Sequence, residues 1–450
     1  MPGIPYARGA YKRADLPNLR CVNQYVEAAP SEPDRVVLLG RPGLAPFAIQ
    51  GTGPVRGMLS QPGAFGGAVF AVSGTRLSRD TLTMGDVAGV GLVDMAASPT
   101  AVMIATGMSP LYVCNGLTVV PSAFPDGAGV QAVAYLAGYC LAARAGSRRI
   151  YFAFDPVTFD GLDYFAAEQD TGDVVGMAVV QELLWVFCER VTEVFSPTGN
   201  ANAPFQRLPG RFYDKGCKDR NTIAKGDNSV FWITNEDFVA RADAAPQRVS
   251  HHGIEERIAA TPTGGFAAWQ WSWKGHSFYT LRTGQGSFSY DAATQEWHES
   301  ASLSRASWRA WIGIERDGEV LAGDDETGMI WRLDDSVLSD DGVEIERRFT
   351  AMTGRGMVRS VMVDAASGEG VSYVDAPIIE MRISRDDGAT WGHWRARTLG
   401  KKGQRRKRAV WLRLGLSDTM GLLEFRTTDP TPWRVSDVRA NENLAGRGRP

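Results

Sequence analysis

Val174-Val175-Gly176-Met177-Ala178-Val179-Val180 turns through Gln181-Glu182 and returns as Leu183-Leu184-Trp185-Val186-Phe187-Cys188-Glu189-Arg190-Val191-Thr192-Glu193-Val194-Phe195. β-Branched and aromatic runs punctuated by turn residues predict strands of a sheet buried on both faces. The chain leaves through Ser196-Pro197-Thr198-Gly199-Asn200 into Pro204-Phe205-Gln206-Arg207-Leu208-Pro209-Gly210. This exit holds no nucleophile, metal cluster or phosphate loop. The stretch reads as architecture rather than chemistry.

Outward from it, residues 55 to 350 repeat the pattern hairpin after hairpin. Asn115-Gly116, between Leu111-Tyr112-Val113-Cys114 and Leu117-Thr118-Val119-Val120, predicts a type I′ turn, and Asp317-Gly318 predicts another. Strand-rich units begin near Ala68, Ala101, Val133, Val174, Val230, Ala267 and Ala310, at intervals of about 40 residues, the period of a propeller blade. Phe288-Ser289-Tyr290-Asp291-Ala292-Ala293-Thr294-Gln295-Glu296-Trp297 has the strand–turn–Trp ending of a kelch-type blade. An all-β chain with a β-propeller of about six or seven blades accounts best for this, because radial repetition leaves few exposed sheet edges. A long sandwich or β-helix is the rival. The expected organisation is an extended N-terminal arm at 1–54, the propeller at 55–354, a further β domain at 355–440 and a flexible tail at 441–450. In the arm, prolines at 17, 30, 33, 42 and 46 argue against long regular structure.

Composition narrows the function. The 450 residues are 44% hydrophobic and 22% charged, with 50 glycines, 23 prolines and 13 tryptophans, as expected of short strands joined by tight turns. A net charge of −3 argues against wholesale nucleic-acid binding. The five cysteines are scattered without a CxxC pair, so they read as small buried hydrophobes of a chain made in a reducing cytoplasm. No secretory h-region is visible at the start. Residues 95–125 carry no charge, yet Pro99, Pro110, Pro121 and Asn115-Gly116 would break a spanning helix, so β structure and no stable membrane insertion are expected.

Catalytic patterns are weak. His251-His252 is the one histidine cluster; adjacent strand residues point to opposite faces, so a surface loop or strand end is expected rather than a metal site. Gly284-Gln285-Gly286 and Gly89-Val90-Gly91 lack a nucleotide-site setting, and GxSxG, HExxH and Walker A sequences are missing. Trp269, Trp271 and Trp273 alternate on one strand, as packing residues do. Lys401-Lys402-Gly403-Gln404-Arg405-Arg406-Lys407-Arg408 places six cations in eight positions between strands at 393–399 and 409–414. It fits either a solvated hairpin loop or a surface that meets an acidic neighbour or DNA phosphate. Ser384-Arg385-Asp386-Asp387-Gly388-Ala389-Thr390-Trp391 fits the Asp-box of sialidase-like propellers, itself a structural turn, in a single copy outside the propeller region. Neither an enzyme, a cofactor, a metal nor a small-molecule substrate is indicated.

Several segments in order resemble the packaged-DNA stabilisation proteins of short-tailed bacteriophages, also called head-completion, tail-hub or nozzle proteins. They are Leu19-Arg20-Cys21-Val22-Asn23-Gln24-Tyr25-Val26-Glu27, Arg41-Pro42-Gly43-Leu44-Ala45-Pro46-Phe47, the stretch from Gly176 to Phe195, 204–210, Lys215-Gly216-Cys217, Asp227-Asn228-Ser229-Val230-Phe231-Trp232, Pro246-Gln247-Arg248-Val249-Ser250, 384–391 and Arg426-Thr427-Thr428-Asp429-Pro430. The resemblance implies a virion component with a propeller, assembled as a ring, a hexamer in related phages, beneath the portal adaptor. It would carry tailspike or needle proteins below, retain packaged DNA and form part of the ejection channel. Arg20 and Tyr25 of the opening segment, with Lys401, Lys402, Arg405, Arg406, Lys407 and Arg408, are the expected interface residues. The alternative is a sialidase-like or glycan-binding tail propeller.

Overall fold

The computed structural model describes residues 7, 10–13, 16–29, 32–369, 374–405, 407–417 and 421–441. The chain divides into two compact units, each discontinuous in sequence: Pro46–Gln285 with Arg309–Leu333, and Met1–Ala45 with Gly286–Trp308 and Asp334–Pro450.

The first unit is a propeller. Five four-stranded antiparallel sheets follow one another, beginning at Val55–Leu59, Asp94–Ala97, Val130–Leu136, Val174–Val180 and Ala224–Gly226. The hairpin of Ala267–Trp273 with His276–Thr283 and the antiparallel run of Ala310–Arg316, Glu319–Asp324 and Met329–Asp334 come next. The seven leading strands adjoin one another in a closed circuit, so the fold has seven blades. Separate apolar clusters fill the gaps between neighbouring blades. One joins Leu184, Val186 and Phe195 to Leu141 and Ile150, and another joins Val55, Val69 and Ala71 to Ile312, Leu321 and Ile330. That last cluster closes the ring, and Trp311 Nε1 donates to the Val55 carbonyl at 2.8 Å across the same seam.

The deciding stretch forms the fourth blade, its inner strands buried on both faces and Gln181-Glu182 at positive φ. Asp317-Gly318 also makes its two-residue turn, with φ of 50° and 81°. Asn115-Gly116 differs from the type I′ expectation. The loop spans four residues, Cys114 pairs with Val119, and Asn115 Oδ1 accepts from the backbone of Leu117 and Thr118, so only Gly116 takes a positive φ. The blade starts read near Ala68, Ala101 and Val230 fall on or beside second strands. The true inner strands there carry Arg56, Asp94 and Lys225, which blunt the apolar signal.

The second unit packs two sheets around one core. The first runs Gly286–Asp291, Glu296–Ser300, Cys21–Val22, Arg347–Thr353, Gly421–Thr427, Ile378–Ser384 and Arg395–Thr398. The second runs Gln24–Ala29, Glu32–Gly40, Arg434–Ala440, Gly356–Ala365 and Ala409–Ser417. Residues of the expected extended arm are therefore strands, one of them nine residues long. Pro33 sits near its start, where a missing N–H costs little. Cys21, Val26, Val36 and Leu38 share the core with Phe349, Val361, Trp411, Phe425 and Val438. At Asn23 (φ 57°) the chain crosses from one sheet to the other.

Candidate interaction surfaces

The propeller axis encloses a cavity of about 210 Å³ lined by the inner strands and by Arg56, Asp94 and Arg220. Arg56 donates to the carbonyls of Gly74, Val87, Ala88 and Gly91, and Arg220 to those of Gln131 and Leu92. Burial lowers both arginine pKa values. Burial raises that of Asp94, against the pull of its hydrogen bond from Val133 N at 2.8 Å. Lys225 is open to solvent yet hemmed in by protein; burial lowers its pKa and Asp94 opposes the shift. Both arginines are held by backbone carbonyls, and Arg220 ties blade three to the segment that enters blade two.

The basic segment at 401–408 does not interrupt a hairpin. Arg395–Thr398 pairs with Ile378–Ser384 in the first sheet, and Ala409–Ser417 pairs with Gly356–Ala365 in the second. The loop crosses between sheets and is tied by its own turns: Gln404 N donates to Lys401 O, Lys401 N to Gln404 Oε1, and Gly403 N to Gly368 O. Lys402 and Arg405 are exposed. Lys401 meets Asp375 at 3.7 Å with both side chains 69% exposed, a contact of little energetic weight. Lys407 is half-buried, Arg408 pairs with Asp364 at 3.4 Å, and Arg406 lies outside the described residues.

Arg20 and Tyr25 of the opening segment are both engaged within the fold. Tyr25 is buried and offers no surface, and burial raises its phenol pKa to about 12. Arg20 donates twice to the Glu299 carboxylate, at 3.2 and 2.7 Å. Burial works against its charge, but Glu299 holds its pKa above the usual arginine value. A ladder of Glu346, Arg348, Glu424 and Arg382 lies on the same sheet, with Arg426 and Glu380 beyond it. Trp391 and Trp394 cover Arg382, each 4.6 Å from its guanidinium. Sequence reasoning missed Asn23 and Arg41. Asn23 donates to the carbonyls of Ala301 and Glu346 and accepts from Ala301 N and Arg41 Nε. Arg41 pairs bidentately with Asp340, at 2.9 and 2.6 Å, with both side chains buried.

Other singled-out residues are structural. His251 precedes and His252 begins the helix His252–Ala259, rather than lying in a loop or strand end. The turn is fixed by Glu255, which accepts from Ser250 Oγ and pairs with Arg248. In the Asp-box, Thr390 donates through N (2.8 Å) and Oγ1 (2.6 Å) to Asp386, and Ser384 Oγ donates to it at 2.7 Å. These bonds hold the Asp386 pKa down at about 2. Trp269 and Trp271 are buried and stacked at 5.8 Å. All five cysteines are buried free thiols. Among the described residues no group of three or more His, Cys, Asp or Glu is placed to hold a metal ion, and no helix is long and apolar enough to cross a membrane.

A seven-bladed propeller and a two-sheet unit define an all-β protein of two β units. Family models identify which. The model described as bacteriophage P22 Gp10, β-propeller, matches residues 3–338, and the one described as bacteriophage P22 Gp10, β-sandwich, matches 346–443. The chain belongs to this family of phage stabilisation proteins, and is thus a phage structural protein of the class that stabilises packaged DNA. No curated protein sequence matches it. Among solved structures, the computationally designed Ika8 protein matches at 13% identity and a TM-score of 0.40, covering 74% of this chain and 98% of its own. BBS1N in complex with ARL6DN matches at 10% identity and a TM-score of 0.39, covering 65% and 96%. The assignment rests on the family models.

Proposed function

We propose that this chain forms the hub or nozzle ring of a short-tailed phage tail, a hexamer joined to the portal adaptor above and to tailspike or needle proteins below. In this reading the ring closes the filled head and later lines part of the ejection channel. The protein is made in the cytoplasm of the bacterial host and acts in the virion without catalysis, cofactor or small-molecule substrate. The observation that carries the proposal is the match of both family models, in order, across nearly the whole chain.

Physical features support it. Ring assembly needs two different faces on each copy and stiffness between them. Blades packed on both sides and loops fixed by their own hydrogen bonds supply such faces. A net charge of −3 suits a lining past which DNA must slide. The loop at 401–408 is the surface through which the chain meets an acidic neighbour. Negative-stain microscopy of virions with antibody against this chain tests the proposal: label at the head–tail junction is expected, and an unlabelled tail would sink it.

A further inference from the structure

The third blade carries an aromatic cleft. Strand Arg149–Ala153 leads into a loop that returns at Tyr164–Ala166. With Tyr139, Phe152 and Ala201 this loop lines a cleft of about 550 Å³. At its floor Tyr139 stacks on Phe154 at 4.5 Å and meets Phe152 and Phe205 edge-on. Phe154 is nevertheless 71% exposed and Leu162 85% exposed. Large apolar groups held open on a rigid surface mark a binding face. The loop is preformed, because Asp155 Oδ1 accepts from Val157 N, Asp160 Oδ1 from Leu162 N, and Ser122 Oγ donates to Pro156 O.

The charged residues that line the cleft, Asp155, Asp160 and Asp163, have one sign. From residue 154 to 173 the chain holds Asp155, Asp160, Asp163, Glu168, Asp170 and Asp173 and no lysine or arginine. Asp170 pairs with Arg190 at 3.6 Å, whereas Asp155, Asp160 and Asp163 are exposed and form no ion pair among the described residues. The natural occupant is a cationic loop able to lay its stems on Phe154 and Tyr139 while its charges meet the carboxylates. This chain supplies such a loop: 401–408, with six cations in eight positions, tied by its own turns and exposing Lys402 and Arg405.

We propose that the acidic aromatic cleft at 154–163 of one copy receives the basic loop at 401–408 of the next copy. The two patches differ, so the contact is heterologous and propagates from copy to copy, as a ring demands. The inference rests on the ring reading above and names the partner of its basic loop.

The test uses the full chain and two surface variants, both with unchanged melting expected. One replaces Asp163 with Lys and keeps Asp155 and Asp160, whose carboxylates hold the loop; the other replaces Lys402 and Arg405 with Glu. In analytical ultracentrifugation the wild type is expected to assemble, with each variant alone about tenfold weaker or more. An equimolar mixture recovers assembly, since each reversed loop then meets a substituted cleft. Zero-length carboxyl–amine coupling should join Lys402 to Asp160 between copies. Variants that assemble like wild type, a mixture that does not recover, or a wild type that stays monomeric would each overturn the proposal. So would glycan binding abolished by Phe154→Ala with assembly unchanged. Variants that enter the tail normally would defeat this contact alone, whereas absence of the wild-type chain from the tail would defeat the ring reading itself.

Discussion

The two units of this chain solve the same problem in opposite ways. The propeller pairs neighbours in sequence: the fourth blade is complete between Val174 and Tyr213, and every turn inside it is local. The other unit pairs the ends of the chain. Glu32–Gly40 bonds to Arg434–Ala440, Trp433 Nε1 donates to Gln24 Oε1 at 2.7 Å, and Cys21–Val22 pairs with Arg347–Thr353. Local pairing makes a fold easy to read and quick to nucleate, whereas pairing of chain ends pays loop closure first. The N-terminal segment is thus an integral part of the C-terminal domain, supplying strands to both of its sheets.

The largest effect should follow from deleting residues 1–40. This removes Val26, Val36 and Leu38 from the shared core, takes the edge strands from the second sheet, and removes Cys21–Val22 from between Glu296–Ser300 and Arg347–Thr353 in the first. Hydrogen exchange is expected to show lost protection across 347–440, with the inner strands of blades two to five still protected. Uniform retention of protection would break the comparison. Next, Trp411→Ala in the same core, where the ring is fully buried and its Nε1 donates to Arg395 O, should cost about 3–5 kcal/mol in denaturant unfolding.

In the propeller, Gly313→Ala would place a Cβ 2.4 Å from the Trp269 ring and 2.7 Å from Leu321 O. Because a backbone oxygen cannot step aside, a loss of about 1–3 kcal/mol is expected, again by denaturant unfolding. Arg347 points the other way. Among the described residues its buried Nε and Nη1 have no hydrogen-bond partner, and burial, then Arg41, lower its pKa to about 10. Arg347→Met should therefore raise stability by about 1 kcal/mol, read as a higher Tm.

The smallest effect is local and depends on pH. The Asp386 pKa is depressed to about 2 in the fold, so its contribution is fully present above the unfolded carboxylate pKa and fades as pH falls from about 4 to 2. Proteolysis of the 384–391 turn should rise over that window, and Asp386→Asn should remove the dependence.

What the sequence revealed follows from the same contrast. Runs such as Leu183 to Cys188 announce strands because both faces are packed, and Asp317-Gly318 announces its turn through positive φ. The inner strands with Arg56, Asp94 and Lys225 are obscured because Arg56 and Asp94 bond backbone groups rather than fill an apolar core, and Lys225 is exposed. Prolines in the first 50 residues pointed to an irregular arm, and no local pattern reveals that the partner strands lie at the opposite end of the chain. The basic loop was legible from charge alone, but its path between two sheets was not. Tyr25 stood out in the opening segment through its neighbours in sequence, yet its ring is buried. The acidic cleft passed unnoticed, although six carboxylates without a cation from 154 to 173 were there to be counted.

The central claim is that copies of this chain stand as a ring at the junction of head and tail. A cryo-electron microscopy map of the virion tail tests it most directly. The account predicts a closed ring of this chain beneath the portal adaptor, its seven-bladed propellers resolved and the 401–408 loop of each copy seated against blade three of its neighbour. Density that places the chain elsewhere in the particle, or shows it as isolated copies, would contradict it.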